Sequence, residues 1–169
     1  MKIIVFGAGA IGSIYAAKLA AHHDVTIIGR AAHVDAIKRD GLHIRGREEL
    51  KVRLKAATEI EQIEPSTLIL LTSKVHDNRA AALTIADQVR HDTLILCVQN
   101  GLRSEEIVRQ VLDNRCVVLR AITQFGAIFA GPGLIDLKVT GETLIERHER
   151  SEELAALLTK SGLETRISE

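Results

Sequence analysis

The sequence predicts an α/β fold in which a doubly wound, mostly parallel sheet carries helices on both faces. Three observations lead there. Short unbroken apolar runs recur, as in Ile3-Ile4-Val5-Phe6, Leu68-Ile69-Leu70-Leu71 and Leu94-Ile95-Leu96-Cys97-Val98. Strands buried on both faces read this way, whereas half-exposed strands alternate apolar and polar residues. Helical patterns separate the runs, the order expected of parallel strands joined by crossover helices. Finally, a glycine turn, Gly7-Ala8-Gly9-Ala10-Ile11-Gly12, sits between the first apolar run and the first helical pattern.

In order, the first strand covers about Lys2–Phe6 and the first helix runs to about His22. Asp24–Gly29 is the second strand, and Ala31–Arg39 a short helix stopped by Asp40-Gly41. Leu42–Ile44 and Leu50–Ala56 alternate around the polar turn Arg45–Glu49, as a half-exposed hairpin does. Leu68–Leu71 is a buried strand, and Asp77 is placed to cap a helix reaching about Arg90. The Leu94–Val98 strand precedes a helix opened by Ser104-Glu105-Glu106, with a cap and early acids. Cys116–Leu119 begins a strand that continues toward Phe125. Beyond Gly126 the pattern changes. Pro132-Gly133 reads as a turn, and Leu134–Val139 and Thr143–Ile145 as a small antiparallel strand pair around Gly141. A last helix starts at a Ser151 cap and stops at Gly162, and Leu163–Ile167 is a final strand.

Residues 1–169 form one domain on this reading: 46% hydrophobic residues suffice for a core, built from Ile, Val, Leu and Ala because aromatics are only 2%. Basic and acidic side chains balance at 22 each, so no basic field invites nucleic acid or a membrane surface. Cys97 and Cys116 lie in strand-like runs without metal-ligand spacing and read as buried thiols of a reducing compartment. With no leader-like segment before the first strand and no apolar run long enough for a bilayer, a cytoplasmic protein is expected.

The glycine turn carries the chemistry. A strand before it and a helix after it give G-x-G-x-x-G the context of a dinucleotide site. Gly7 permits the tight turn, Gly9 lets backbone approach a pyrophosphate, and Gly12 allows the helix to pack closely. The first N–H groups of the helix, from Ala8, Ala10 and Ile11 onward, face the anion. NAD-binding folds of this kind place Asp or Glu at the end of the second strand; here Gly29-Arg30 stands there. A guanidinium grips a 2′-phosphate that a carboxylate would repel, so NADP (NADPH) is the expected cofactor and Arg30 its reader. Lys74 follows the buried strand on the ligand-binding edge, where it either reaches the cofactor or is a solvated lysine. Asn100-Gly101 ends the next strand on the same edge, as a turn signal or as an amide near the nicotinamide. The histidines show no metal spacing; His22-His23 mark a helix end, and His33, His43, His76, His91 and His148 are scattered.

Gly7–Gly12, Arg30, Leu71-Thr72-Ser73-Lys74 and Gln99-Asn100-Gly101-Leu102 together resemble the ketopantoate reductase (2-dehydropantoate 2-reductase) family. Thr123-Gln124-Phe125-Gly126-Ala127 and Gly131-Pro132-Gly133 extend the resemblance over essentially the whole chain. It implies a Rossmann-type NADP-binding domain and NADPH-dependent reduction of a small 2-keto acid, 2-dehydropantoate, on the way to pantothenate and coenzyme A. It implies that Gly7–Gly12 cradle the pyrophosphate, Arg30 binds the 2′-phosphate, Lys74 and Asn100 contact the cofactor, and the Gly126 backbone lines it. The family's general-acid lysine belongs to a second, mainly helical domain that these residues do not include, so no catalytic residue is assigned and the isolated domain is expected to be inactive. Two alternatives stand beside this: the cofactor domain of another two-domain reductase, acting on a different 2-keto acid or a glycerol phosphate, and a nucleotide-sensing module without catalysis. An apolar patch near the C-terminus would favour a homodimer.

Overall fold

A computed structural model describes all residues, Met1–Glu169. In chain order its elements are β1 (Lys2–Phe6), α1 (Ala10–Leu19), β2 (Asp24–Ile28), α2 (Ala31–Asp40), β3 (Leu42–Gly46), β4 (Leu50–Val52), β5 (Lys55–Ala57) and β6 (Leu68–Leu71). A single 3₁₀ turn, Val75–Asp77, leads into α3 (Asn78–Ile85), followed by β7 (Leu94–Val98), α4 (Ser104–Val111), β8 (Val117–Thr123), β9 (Gly126–Gly131), β10 (Leu134–Val139), β11 (Thr143–Ile145), α5 (Ser151–Lys160) and β12 (Thr165–Ile167).

The fold class is the expected one. Eight strands form the main sheet in the order β12-β11-β8-β7-β6-β1-β2-β5, and only the β8–β11 pair is antiparallel. Residues alternate between two cores along each strand. Ile69, Ile95 and Cys97 pack with Ala82 and Ile85 of α3 and Val108 of α4 on one face. Val5, Leu70 and Leu96 pack with α1, α2 and α5 on the other. Chain order reverses between β6 and β1, and an open parallel sheet splits into a crevice at its carboxyl edge at such a point.

Above α1 lies a second sheet, β4-β3-β10-β9. With sheet on both sides, α1 is apolar nearly all round, and Ile14, Tyr15, Ala16, Ala17 and Leu19 are inaccessible to solvent. Packing on two faces holds this helix, at about 1.5–3 kcal/mol for each large side chain buried.

The small sheet differs from its expected membership. The expected strand Leu50–Ala56 is divided: β4 completes the hairpin with β3, and β5 crosses into the main sheet beside β2. Leu134–Val139 and Thr143–Ile145 do not pair with each other. β10 lies between β9 and β3, and β11 joins β8. Because β9 reads as loop by its glycines and alanines, its place as the partner of β10 is not visible locally. Three expected caps are also corrected. Asp77 stands at the N-cap position but turns to His76, 3.4 Å away. Ser104 is already helical behind Arg103, which adopts a left-handed φ of 59°. Ser151 is the first helical residue and gives its hydroxyl to the Glu146 carbonyl at 2.6 Å. The first helix stops at Leu19, whose carbonyl takes the N–H groups of both His22 and His23. Exposed large apolar side chains occur at Met1, Leu83, Leu102, Ile128, Phe129 and Val139, and none follows Val139, so the expected apolar patch near the C-terminus is not found. No helix is long and apolar enough to cross a membrane.

Candidate functional site

A crevice of about 840 Å³ opens at the reversal point, over the ends of β1, β2 and β6. The glycine turn forms its floor. Gly7 has φ +122°, and a Cβ there would lie 2.5 Å from the Ser73 nitrogen, so the turn passes directly against the end of β6. At Gly12 a Cβ would fall 2.0 Å from the Gly7 carbonyl oxygen and 2.6 Å from Thr72 Oγ1. Thr72 fastens the turn by donating its hydroxyl to that same carbonyl at 2.6 Å. Gly9 is different: it is exposed, and nothing lies within 4 Å of where its Cβ would be. The packing of the protein itself does not require glycine at position 9. The Ser13 N–H closes the first turn of α1 on the Gly9 carbonyl at 3.0 Å. The N–H groups ahead of it have no helical partner and carry the positive end of the dipole. Ala8 lines the crevice, while Ala10 and Ile11 are half-buried against the core below it.

Arg30 is the N-cap residue of α2, exposed and facing the same crevice. Its place beside the turn depends on Gly29, where a Cβ would come 2.4 Å from the Ala8 Cβ. Lys74, exposed at the end of β6, lines the crevice as well. Asp77 is the only carboxylate among the lining groups, and His76 already faces it. Two free cations over a cradle of backbone N–H groups suit a ligand with several phosphates.

Asn100 and Gly126 are not brought into this crevice. Asn100 lies on the same edge of the sheet, but its Oδ1 accepts the Thr123 N–H at 3.2 Å. Gly126 opens β9 half-buried, where a Cβ would lie 3.2 Å from that of Val139.

The sequence reading missed a buried amide pair and a histidine. Asn78 Nδ2 donates to Gln99 Oε1 at 2.9 Å, and Gln99 Nε2 donates to Asn78 Oδ1 at 2.7 Å. Gln99 also donates to the Ser73 carbonyl, and Asn78 to that of Ser104, so the pair locks the Lys74 strand end to the Asn100 strand end. Nothing local in sequence announces a contact between positions 78 and 99. His33, set aside for want of metal spacing, is buried in the crevice wall, and burial pushes its pKa down. Burial pushes the Cys97 thiol up to about 12 and that of Cys116 up to about 11, so neither is a nucleophile at neutral pH.

Sheet order, reversal point and glycine turn together define a Rossmann-type domain. The family described as ketopantoate reductase PanE/ApbA matches residues 3–150, and the chain belongs to that family of pyridine-nucleotide-dependent oxidoreductases. A 2-dehydropantoate 2-reductase of Pyrococcus horikoshii is 40% identical over 175 residues, covering 100% of this chain and 56% of the relative. The Pyrococcus abyssi enzyme of the same name is 33% identical, with 100% and 57% covered. The chain thus spans little more than half the length of these relatives. A PanE/ApbA family ketopantoate reductase from Ralstonia eutropha superposes with a TM-score of 0.91 at 30% identity, over 100% of this chain and 57% of that one. A ternary structure of D-mandelate dehydrogenase with NADH and anilino(oxo)acetate superposes at 0.81 and 28% identity, over 100% and 57%.

Proposed function

We propose that this chain is the NADPH-binding part of a reductase that converts the small 2-keto acid 2-dehydropantoate to pantoate. The observation that carries the cofactor reading is Arg30, an unpaired guanidinium at a helix N-terminus, set against the phosphate turn by the contact of Ala8 with Gly29. A guanidinium there favours a 2′-phosphate by charge-assisted, bidentate hydrogen bonds. The free space over Gly9 fits a pyrophosphate, held by the N–H groups of Gly7–Gly12. Lys74 adds charge at the crevice wall, while Asn100 on the same sheet edge and the Gly126 backbone on the small sheet, both outside this crevice, would meet the nicotinamide end. When bound, NADPH supplies the hydride that reduces a keto carbon. The names of the relatives support the substrate. The free thiols Cys97 and Cys116 support a reducing, cytoplasmic setting.

These 169 residues bind and orient on this reading, and no side chain lining the crevice is assigned the proton that a developing alkoxide needs. Titration of NADPH and NADH against the chain, followed by nicotinamide fluorescence, tests the proposal. NADPH should bind about tenfold or more tightly than NADH, the scale of a charge-assisted contact. NADH binding as well as NADPH would overturn the role of Arg30. Turnover of ketopantoate by these residues alone should stay at background; measurable turnover would show that they contain a proton donor.

A further inference from the structure

The turn Gly131-Pro132-Gly133 has no part in the binding scheme above, yet one buried side chain ties it to the crevice. His33 sits in the first turn of α2 with 3% of its surface exposed. Its Nδ1 accepts the Gly133 N–H at 2.8 Å, and its Nε2 lies 3.0 Å from Ser13 Oγ. The Phe129 ring meets the imidazole edge to face at 4.8 Å. The turn has one seat: the Gly133 carbonyl accepts the His43 N–H at 2.9 Å, and Gly133 has φ +74° with a would-be Cβ 3.3 Å from that of Ala36. His33 therefore joins α1 just after the phosphate turn, α2 just after Arg30, and the loop linking β9 to β10.

An Nδ1 that accepts an N–H carries no proton, so the ring is neutral and donates Nε2–H to Ser13 Oγ. A second proton would set N–H against N–H at 2.8 Å. It would also bring positive charge to the N-terminal end of α2, where the helix dipole disfavours it. We propose that His33 is a positioning residue which, only as the neutral imidazole, fixes the phosphate turn and the Arg30 end of α2 at the spacing that NADPH requires.

The groups packed on His33 from the other elements, Ser13, Phe129 and Gly133, do not titrate in the accessible range. The charged or titratable groups sharing the crevice are Arg30, Lys74, His76 and Asp77. Burial is the cause that holds the ring below its ordinary value of 6.5. The cofactor reading is presupposed, and the experiment separates the two.

The uniformly ¹⁵N-labelled 169-residue chain is titrated from about pH 7.5 to about pH 5, with and without NADPH, the range over which histidine changes charge. The ring should show the Nε2–H tautomer and titrate below 6.5, with the Gly133 amide signal moving in step and the midpoint falling further when NADPH is bound. NADPH affinity is then compared in the wild type and in His33→Gln, whose amide both accepts and donates without titrating. The cofactor's 2′-phosphate is common to both proteins, so its own titration cancels. Each unit by which NADPH lowers the ring's pKa corresponds to about a tenfold extra loss of affinity in the wild type on acidification. An Nδ1–H tautomer, or parallel affinity profiles in the two proteins, would overturn the inference while leaving the cofactor reading intact. No NADPH binding at any pH would overturn both. Should His33→Gln fail to fold, the wild-type ring decides alone: a midpoint that falls with NADPH supports the inference, and a rise, the direction the phosphate charge alone would impose, overturns it.

Discussion

The two ends of the proposed binding edge are built in different ways. At the phosphate end, Gly7, Gly12, Gly29 and Thr72 are mutually constrained by contacts in which no added atom fits, and only Gly9 faces open space. At the Asn100 end, the side chain is turned back onto the β8 backbone, and Gly126 stands apart on the small sheet. The first end is a rigid cradle formed by one continuous turn and the strand beside it. The second is assembled from the ends of separate strands and depends on the buried Asn78–Gln99 pair for its registry. Binding strength on this view comes from the preorganised end, and placement of the reacting ring from the assembled one.

The sharpest way to break this contrast is to perturb two glycines of the same turn. Gly12→Ala drives a methyl into a backbone carbonyl at 2.0 Å, which flexible side chains cannot relieve. It should cost about 3 kcal/mol of stability, the upper range for overpacking, and abolish binding. Gly9→Ala meets nothing within 4 Å and should change stability by no more than about 1 kcal/mol, while lowering NADPH affinity more than about tenfold. Urea denaturation beside NADPH titration reads both. If Gly9→Ala bound NADPH normally, the open space over that residue would not be the pyrophosphate seat.

Arg30→Ala is the next largest effect and is confined to one end. NADPH and adenosine 2′,5′-bisphosphate should both lose about tenfold to a hundredfold in affinity, the scale of one or two charge-assisted hydrogen bonds, while NADH binding stays put. Calorimetry with the three ligands checks it. An equal loss for NADH would mean that Arg30 holds the helix or the pyrophosphate rather than the 2′-phosphate.

The same division explains what could be read from the sequence. The main sheet was legible because its strands are buried on both faces and are spelled by uninterrupted runs such as Leu68–Leu71. The glycine turn was legible because its parts are adjacent in the chain, and the position of Arg30 beside it because that is fixed by the strand before it. The roles of Gly29 and Thr72 required the fold, since each acts on a partner far along the chain, Ala8 and Gly7 respectively. The pairings 78 with 99 and 33 with 133 are tertiary hydrogen bonds between polar groups with no periodic signature. β9 escaped because small residues in an edge strand resemble a loop, and the three caps because a capping residue type shows only that a cap is possible.

The smallest effect is the one that decides what the second end does. Asn100 is exposed, and its hydrogen bond to the Thr123 N–H joins the loop after β7 to the end of β8. Asn100→Ala removes that acceptor, and stability should fall by about 0.5–1.5 kcal/mol, the net worth of one hydrogen bond. If the amide serves only as a loop tie, NADPH and adenosine 2′,5′-bisphosphate will bind to the variant as to the wild type. If it swings to the nicotinamide when the cofactor arrives, NADPH affinity should drop about fivefold, near 1 kcal/mol, with the bisphosphate unaffected because it lacks that ring. The bisphosphate removes any general loosening of the crevice from the comparison. A loss for both ligands would therefore reject the division into a rigid cradle and an independently assembled second end.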